Sequence, residues 1–414
     1  MFVADFHIHS KYSRATSKNM DLEALNKWAK IKGIKVLGTG DFTHPEWLKN
    51  LKEKLEPAEP GLYKFEEAPD ATRFILTSEI SCIYSKRNRV RKVHIIVFSP
   101  SFEICEKINT QLGWIGNLKS DGRPILGLDV KELTKIILNS SQDCFIVPAH
   151  IWTPWFSVFG SKSGFDSLEE CFEDYTKYIY AGETGLSSDP LMNWRVSDLD
   201  KIALISNSDS HSPAKIGREA NVFDTEMSYF KIMEAIKNKN PEKFLYTIEF
   251  FPEEGKYHYD GHRVCNISLS PQESRKYNGI CPNCGKPLTL GVLNRVEELA
   301  DRPIGRKPEG AIPFKSLIPL EEIIADVLSQ GVGTKAVAKE YYNLIESFKS
   351  EFEVLLNASE QDLKSATLAE ISEGIIRVRE GKISLIPGYD GVYGRIKIFS
   401  KREQKELSDQ KTLF

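Results

Sequence analysis

Short apolar runs alternate with helical patterns over the first 250 residues. The run Phe2 to His7 is followed by a helical pattern from Asp21, a plausible N-cap, to Lys32, and then by the run Ile34 to Leu37. Further strands are expected at residues 73–77, 93–98, 144–147, 178–181, 203–206 and 244–248, with helices near 131–138 and 229–236. Because strands and helices alternate, the pattern predicts a parallel α/β sheet or barrel.

The pattern changes twice after residue 250. Residues 251–295 are rich in His, Cys, Gly and Pro, which predicts a small module with a metal at its core in place of apolar packing. Residues 318–380 have helical periodicity, and residues 383–399 indicate a strand, a turn and a strand. We therefore expect domains at 1–250, 251–295 and 296–399, followed by a polar tail at 400–414.

Composition excludes several classes of protein. The 414 residues carry 55 Lys plus Arg against 58 Asp plus Glu and are 41% hydrophobic, so disordered and collagen-like chains are excluded. No stretch approaches the roughly 18 apolar residues of a membrane span. Three of the seven cysteines fall at Cys265, Cys281 and Cys284, which favours a metal site in a reducing compartment, and the cytoplasm is expected.

Histidines and carboxylates follow the predicted strands. The carboxyl ends of barrel strands meet at one rim, and imidazole and carboxylate together suit cations such as Zn²⁺ or Mn²⁺. One such histidine alone would be an ordinary core or surface residue, but several strand ends share this feature. The sequence therefore predicts a multinuclear metal site. The candidate ligands are His7, His9, Asp41, His44, Glu79, His94, His150, Asp209 and His211.

This set of side chains suits phosphoester hydrolysis. A carboxylate such as Glu79 can bridge two cations, which together activate water and stabilise the leaving oxygen. Glu183 and Asp189 also follow a strand and could act as acid, base or metal partner, although Asp189 before Pro190 equally fits a helix N-cap. The catalytic candidates are Asp41, Glu79, His150, Glu183, Asp189 and Asp209.

A second group of metal ligands lies in the 251–295 module. His262, Cys265, Cys281 and Cys284 form two closely spaced pairs, and such a Cys₃His set predicts a closed structural Zn²⁺ site. His258 is an alternative fourth ligand. A redox pair of Cys281 and Cys284 is another alternative, against which the nearby Cys265 argues.

Three segments are candidates for nucleic-acid contacts. The run from Lys86 to Lys92 has five cations and no acid, although it equally fits a solvated loop. The aromatic loop after His150 and the glycine-rich turn at 331–335 fit base stacking and phosphate contact, or else plain packing. The candidate DNA contacts are Lys86, Arg87, Arg89, Arg91, Lys92, Trp152, Trp155, Gly331, Gly333 and Lys335.

Motifs at the predicted strand ends share residues with a known family. They are Asp5 to Ser10, Gly38 to Asp41, Glu79, His94, His150 and Ser208 to His211. Together they resemble the polymerase and histidinol phosphatase (PHP) family over residues 1–250. The resemblance implies a distorted β/α barrel with up to three metals, held by His7, His9, Glu79, His94, His150, Asp209 and His211. Two positions depart from the family: Asp41 and His44 are not adjacent, and a further ligand position falls near Ala15.

The layout of the whole chain resembles the archaeal endonuclease Q family. The barrel is followed by Cys281 to Lys286, Arg295 to Arg302, a helical region and Pro387 to Gly394. The resemblance implies a DNA-binding helical region at 296–399, with Zn²⁺ and either Mg²⁺ or Mn²⁺ as cofactors. It implies cleavage on the 5′ side of hypoxanthine, uracil, xanthine or an abasic site, which leaves 3′-hydroxyl and 5′-phosphate ends. Gln410 to Phe414 are similar to the start of a peptide that binds the sliding clamp.

Two other functions fit part of the sequence. A PHP-type phosphatase would act on a small phosphomonoester without DNA, but it has no evident use for the module, the basic run or the clamp-like tail. A noncatalytic DNA-binding protein would use the rim metals only for stability, and it would bind DNA in a salt-sensitive way without cleaving it.

Overall fold

A mixed sheet forms the centre of the protein. The structure, a computed structural model, describes residues 1–65, 71–400 and 403. Its strands are β1 (Phe2–Asp5), β2 (Ile34–Gly38), β3 (Glu56–Pro57), β4 (Tyr63–Lys64), β5 (Arg73–Lys86), β6 (Arg89–Ser99), β7 (Ile125–Leu126), β8 (Phe145–Pro148), β9 (Ala181–Glu183), β10 (Ala203–Ile205), β11 (Ala220–Phe223), β12 (Phe244–Glu249), β13 (Asp260–His262), β14 (Ile267–Leu269), β15 (Phe314–Ser316), β16 (Ser384–Ile386) and β17 (Arg395–Lys397).

Helices cover the sheet and form most of the C-terminal region. They are α1 (Leu22–Lys32), α2 (Pro45–Lys54), α3 (Phe102–Gly113), α4 (Val130–Ser140), α5 (Leu168–Phe172), α6 (Pro190–Asn193), α7 (Tyr229–Lys237), α8 (Pro271–Lys276), α9 (Val292–Leu299), α10 (Leu320–Leu328), α11 (Lys335–Phe348), α12 (Glu360–Ala366) and α13 (Ala369–Arg379). In the described part of the chain the longest helix, α11, has 14 residues, and none has the length and apolarity to cross a membrane.

The sheet is only partly parallel. β1, β2 and β5 run parallel, whereas β11 and β12 pair antiparallel beside β1, and β6 and β8 pair antiparallel beside β5. The predicted all-parallel sheet is wrong at β5 and β6, because Arg87 and Asn88 have φ of 51° and 59° and turn the chain directly back as a hairpin. β9 and β10 form a separate parallel pair, so hydrogen-bonded ladders of the described residues do not close the predicted barrel.

Local signals place the elements of the first domain well. The Asp21 carboxylate accepts a hydrogen bond from the Ala24 backbone N–H at 3.0 Å and starts α1, as predicted. Gly33, with φ of 87°, ends the helix in the left-handed conformation that glycine adopts without steric cost. This brief turn returns the chain to β2, whose end carries Asp41.

Aromatic rings fill the interior behind the strand ends. The Phe6 ring centroid lies 5.5 Å from that of Phe98 and 6.0 Å from that of Phe223, and the Phe223 ring stacks on that of Phe244 at 4.8 Å. All four side chains are fully buried. Burial of each such ring stabilises the fold by about 2–3 kcal/mol. The chain segment that carries His7 and His9 therefore stands on a rigid interior.

The C-terminal hairpin returns to the module in space. The turn between β16 and β17 packs on residues 253–263: the Gly388 N–H donates to the Glu253 carbonyl at 2.8 Å, and the Arg263 N–H donates to Asp390 Oδ2 at 2.7 Å. A Cβ at Gly394 would lie 2.0 Å from the Glu253 oxygen, so this close approach requires glycine. The hairpin follows the helices in sequence, but it lies against the module.

Candidate metal centres

The first group of ligand atoms surrounds His7 and His9. His9 Nε2 lies 3.2 Å from Glu79 Oε2 and 3.0 Å from Asp209 Oδ1. His7 Nε2 lies 3.6 Å from each of the same two oxygens, is buried and has no hydrogen-bond partner. Ligand atoms of these four residues all lie within 4.8 Å of one another. A cation that takes nitrogen and oxygen ligands fits this position.

The second group shares Glu79 with the first. Glu79 Oε1 lies 2.7 Å from His94 Nδ1 and 3.1 Å from His150 Nε2, while its other oxygen, Oε2, faces the first group. One carboxylate thus presents one oxygen to each group, which is the arrangement of a carboxylate that bridges two cations. We refer to His7, His9, Glu79, His94, His150 and Asp209 as the rim cluster.

Two carboxylates behind the rim cluster orient its histidines. Glu183 Oε1 lies 3.0 Å from His7 Nδ1, and its Oε2 accepts a hydrogen bond from the His150 backbone N–H at 2.8 Å. Asp41 Oδ1 lies 3.2 Å from His9 Nδ1, and its Oδ2 accepts from Ser10 and Ser13. Such contacts turn the other ring nitrogen toward a metal. The structure places Asp41 and Glu183 behind the ligands, where sequence reasoning expected them as catalytic residues or ligands.

Electrostatics favour a cation in the rim cluster. Burial lowers the pKa of the His7 imidazole, but the surrounding carboxylates outweigh burial and hold that pKa well above its ordinary value. Burial raises the pKa of Glu79, but neighbouring histidines and Arg123 outweigh burial and hold it well below its ordinary value. Glu79 is therefore ionised, and the His7 imidazole carries a proton that a metal would displace, whereas burial lowers the pKa of His94 to about 4.

Backbone strain occurs at three residues of the site. Asp41, His150 and Asp209 have φ of 51°, 29° and 46°, in the left-handed region that non-glycine residues rarely adopt. Such conformations persist only where the surrounding contacts impose them, and they concentrate at functional sites. The strained residues are therefore three of the candidate site residues that the sequence predicts after strands.

Solvent reaches the rim cluster from one side. The side chains of Asp209 and His211 are 27% and 32% exposed, whereas His9 and Glu79 are fully buried. Arg123, at 24% exposure, donates from Nη1 to Glu79 Oε2 at 3.1 Å on this open side. Sequence reasoning missed Arg123, because it lies in a loop with no strand-end motif. The His211 ring lies 4.5 Å from that of His9 but outside both groups of ligand atoms.

His44 and Asp189 have structural surroundings. His44 occupies the N-cap position of α2, its ring stacks on Tyr12 at 4.4 Å, and it lies outside both ligand groups. The Asp189 carboxylate accepts from the Met192 backbone N–H at 2.8 Å and caps α6, which agrees with the alternative of an N-cap. Burial raises the pKa of Asp189 to about 6.

The basic run is a hairpin whose charges are mostly used within the protein. Lys86 pairs with Glu173 at 2.8 Å, Arg87 pairs with Glu170 at 3.2 Å, and buried Arg91 donates to the Gly164 carbonyl. Lys86 and Arg91 are largely enclosed by these contacts, whereas Arg87 is 63% exposed and its phosphate contact stays a prediction. Arg89 is exposed, and Lys92 lies 5.4 Å above the Phe156 ring.

The aromatic loop divides into a buried and an exposed half. Trp152 is 1% exposed, packs on Phe159 and donates from Nε1 to Asn193 Oδ1 at 2.7 Å. The prediction that Trp152 stacks with a base is wrong, because no face of its ring is accessible. Trp155 is 43% exposed and lines a cavity of about 720 Å³. Phe156 lines the same cavity, and its ring lies 4.7 Å from that of His94, so the cavity adjoins the rim cluster.

The module brings four ligands together. Ligand atoms of His262, Cys265, Cys281 and Cys284, which we call the module cluster, lie within 4.8 Å of one another, and His262 Nδ1 lies 3.4 Å from Cys284 Sγ. His258 is buried outside this group, so the geometry favours His262 as the fourth ligand. Four ligands complete a tetrahedral site, which suits a structural metal better than a redox pair.

The glycine-rich turn contributes no ligand atom to either cluster. Gly331 and Gly333 are exposed between α10 and α11, and Thr334 caps α11 directly before Lys335. The clamp-like segment Gln410 to Phe414 lies outside the described residues.

Comparisons with known proteins cover nearly the whole chain. The family described as MJ0043 C-terminal domain matches residues 319–382. An uncharacterized protein of Methanocaldococcus jannaschii, MJ0043, is 36% identical over 282 residues, 66% of this chain, which spans only 34% of that protein's length. The uncharacterized protein YqxK of Bacillus subtilis is 30% identical over 95% of this chain and 98% of its own.

Two solved structures have the same fold throughout. The lesion-specific endonuclease PfuEndoQ from Pyrococcus furiosus superimposes with a TM-score of 0.86 at 32% identity, over 99% of this chain and 98% of its own. Endonuclease Q in complex with a 27-mer duplex substrate, with an abasic lesion at its active site, gives a TM-score of 0.84 at 32% identity over 98% of each chain. With this identity over nearly the full length of both proteins, the chain belongs to the endonuclease Q family.

Proposed function

We propose that this protein is a metal-dependent DNA repair endonuclease. It hydrolyses the phosphodiester on the 5′ side of a deaminated base or an abasic site and leaves 3′-hydroxyl and 5′-phosphate ends. The observation that carries the proposal is the shared Glu79, which presents one oxygen to each of two ligand groups on a solvent-open edge. The family membership supports DNA with a lesion as the substrate.

The residues of the rim cluster fit divalent cations. His7, His9, Glu79 and Asp209 would hold one cation, and Glu79, His94 and His150 would hold another. The buried, unpartnered Nε2 of His7 supports this assignment. Bound Zn²⁺, Mg²⁺ or Mn²⁺ would supply an activated water and neutralise charge on the phosphate. The module cluster would hold a structural Zn²⁺.

This chain's own residues supply orientation and charge at the site. Glu183 and Asp41 fix the rings of His7 and His9, so the nitrogen that faces the cluster is set before substrate arrives. The deep burial of Glu79 excludes water from one side of the cluster, and substrate therefore approaches from the side of Asp209 and His211.

The aromatic cavity beside the rim cluster would receive an extruded base. Its volume of about 720 Å³ holds a nucleotide, and Trp155, Phe156 and Tyr257 offer ring faces for stacking. An enzyme that acts at one altered base must draw it out of the duplex, which costs a few kcal/mol and is cheapest at a weakened pair.

Two polar atoms of this cavity support selection of deaminated bases. Arg218 Nε and Glu254 Oε1 are buried without hydrogen-bond partners, and both side chains line the cavity. Arginine only donates hydrogen bonds. A donor at this position fits the carbonyl oxygen that replaces the amino group of adenine in hypoxanthine and of cytosine in uracil. Replacement of Arg218 by Met should therefore reduce the preference for hypoxanthine over adenine.

DNA contact by the C-terminal region stays part of this proposal. The exposed turn with Gly331, Gly333 and Lys335 can present backbone N–H groups to phosphates, and the exposed Arg89 can add a cation. The sliding clamp as a partner of the tail, and a cytoplasmic location, also remain predictions. A distorted barrel is also still a prediction. It is supported by the side chain of Asn221 in β11, which accepts a hydrogen bond from the Ser206 N–H and donates one to the Ser206 carbonyl directly after β10.

Incubation with defined duplexes tests the proposal. End-labelled duplexes with one hypoxanthine, uracil, abasic site or normal base are incubated with purified protein and Mg²⁺, Mn²⁺ or chelator. We expect metal-dependent incision on the 5′ side of the lesion and none of the normal duplex. Absence of incision together with turnover of a small phosphate monoester would contradict the proposal and favour a phosphatase.

A further inference from the structure

The rim cluster has one arginine or lysine partner among the salt bridges of the described residues. This partner is Arg123, whose Nη1 lies 3.1 Å from Glu79 Oε2. Its side chain is 24% exposed, whereas Glu79 is fully buried, so the guanidinium extends from the cluster toward the open side. Arg123 therefore stands where a substrate must approach.

A short, rigid loop holds Arg123 in this place. The Arg123 N–H donates to Asp121 Oδ1 at 3.2 Å, and β7 pairs with β5 directly after the loop. Gly122 fits between Tyr12 and Thr43: its N–H donates to the Tyr12 carbonyl, and its carbonyl accepts from Thr43 Oγ1 at 3.1 Å. The position of Arg123 is thereby tied to the strand ends that carry the rim cluster.

Gly122 also couples this loop to the contacts of His9. A Cβ at residue 122 would lie 2.2 Å from Asp41 Oδ2 and 2.4 Å from Ser13 Oγ. Asp41 is the carboxylate that orients His9. The loop that carries Arg123 and the carboxylate behind His9 thus pack with no space between them.

The guanidinium has more donors than the protein uses. Arginine has five N–H donors in a planar fork, and the Arg123 side chain donates one hydrogen bond within the described part of the chain, from Nη1 to Glu79. A cation bound by Glu79 would also compete with Arg123 for the same carboxylate oxygen. The remaining donors point to an anion from outside the protein, and arginine matches the oxygens of phosphate in a two-point contact.

We propose that Arg123 is a phosphate-binding residue, which holds a nonbridging oxygen of the phosphodiester that is cut. This inference rests on the proposed hydrolysis of a phosphodiester. Gly122 acts as the positioning residue that fixes the guanidinium relative to Asp41 and His9. The role differs from stabilisation of Glu79 alone, because it requires direct contact with substrate.

Binding of inorganic phosphate tests the contact without DNA. Calorimetric titration of the metal-loaded protein compares wild type with Arg123→Ala, Arg123→Lys and the matched control Arg14→Ala. Arg14 pairs with Asp121 of the same loop, is 71% exposed and does not contact the cluster. We expect phosphate to bind about 10- to 100-fold more weakly to Arg123→Ala, with an intermediate loss for Lys and little change for Arg14→Ala.

The alternative outcomes are distinct. Equal phosphate affinity of wild type and Arg123→Ala would overturn the inference, and so would an equal loss in the Arg14→Ala control. Loss of rim metal from both Arg123 variants would also overturn it, because Arg123 would then only stabilise Glu79. Failure of wild type to incise DNA would count against the proposed endonuclease and leave the phosphate titration valid.

Stereospecific sulfur substitution identifies the oxygen on the substrate. Single-turnover incision is measured on duplexes whose scissile phosphate carries sulfur in one or the other nonbridging position. In wild type, one isomer should be slowed by an amount that does not depend on the choice of Mg²⁺ or Mn²⁺. In Arg123→Ala this isomer should react as fast as the oxygen substrate; equal slowing of both isomers and the oxygen substrate would refute the contact.

Discussion

The rim cluster and the module cluster each bring ligand atoms within 4.8 Å of one another, but they are assembled in opposite ways. The rim ligands lie within β5 and β6 and in the segments that follow β1, β8 and β10, and most are buried against a packed interior. The module ligands come from two short segments, 262–265 and 281–284, with 15 residues between them, and Cys284 is exposed. A site assembled by a whole sheet can stand without its metal, whereas a small module with little apolar core depends on its metal to fold.

The largest expected effect is at the rim. Asp209→Ala removes a ligand of the first group and should lower the single-turnover rate of incision by at least about 1,000-fold, equivalent to about 4 kcal/mol. The melting temperature and the metal of the module should be unchanged, because the sheet does not depend on this side chain to fold. Metal analysis and incision of a hypoxanthine duplex check this, and residual activity above one tenth of wild type would contradict the assignment.

A smaller effect should follow from a methyl group at Gly122. In Gly122→Ala the new Cβ would meet Asp41 Oδ2, so the carboxylate or the loop must move and His9 or Arg123 loses its place. We expect incision to slow by about 10- to 100-fold. Gly127→Ala is the matched control, because nothing lies within 4 Å of its added Cβ. Similar incision rates for the two variants would show that activity tolerates a shift of Asp41 or of the loop that carries Arg123.

Loss of a ligand in the module should lower the stability of the protein more than its rate of incision. Cys284→Ser should release one metal ion per chain and lower the melting temperature, whereas incision should fall by less than about 10-fold. His258→Ala serves as the control, because His258 lies outside the ligand group. Retention of the metal in Cys284→Ser would contradict Cys284 as a ligand, and loss of the metal in His258→Ala would favour His258 over His262 as the fourth ligand.

The smallest expected effect is on the pH dependence of stability, through Glu254 in the cavity between the rim cluster and the module. Burial raises the pKa of Glu254 to about 8, and its side chain lines the cavity that rim and module share. The folded state therefore holds a proton that the unfolded state releases above about pH 4.5, so this contribution to stability falls as the pH rises from about 4.5 to 8.

Replacement of this acid removes the titration. In Glu254→Gln the melting temperature should fall by a few degrees less than in wild type between about pH 5 and pH 8. Melting curves across this range measure the difference, with the exposed Glu309→Gln as control. Parallel curves for wild type and Glu254→Gln would show that Glu254 ionises as freely in the folded state as in the unfolded one.

The sequence predicted the features that depend on residues close to one another in the chain. His7, His9, His150 and Asp209 follow the apolar runs of β1, β8 and β10, and this pattern marked the rim. Glu79 was expected after a strand but lies inside β5, and it faces His94 inside the antiparallel strand β6. The same patterns placed α1 between Asp21 and Gly33. They also found the module ligands, whose spacing is itself the signal.

The sequence did not predict contacts between residues that lie far apart in the chain. Trp152 and Trp155 occupy the same loop, yet one is buried and the other lines the cavity, because distant residues such as Asn193 and Tyr257 decide their surroundings. Lys86 and Arg87 of the basic run form ion pairs with Glu173 and Glu170, which are more than 80 residues away in the sequence. Arg123 was missed for the same reason, because its partner Glu79 lies 44 residues away.

The return of the C-terminal hairpin to the module has a consequence for synthesis of the chain. Tyr393 lines the cavity, and the Tyr259 N–H donates to the Gly388 carbonyl, so residues 387–394 form part of a wall begun about 130 residues earlier. A nascent chain that has emerged from the ribosome only as far as α13 already has every rim ligand but an incomplete cavity wall. The candidate metal ligands are therefore translated first, and the cavity proposed to receive the damaged base is completed last.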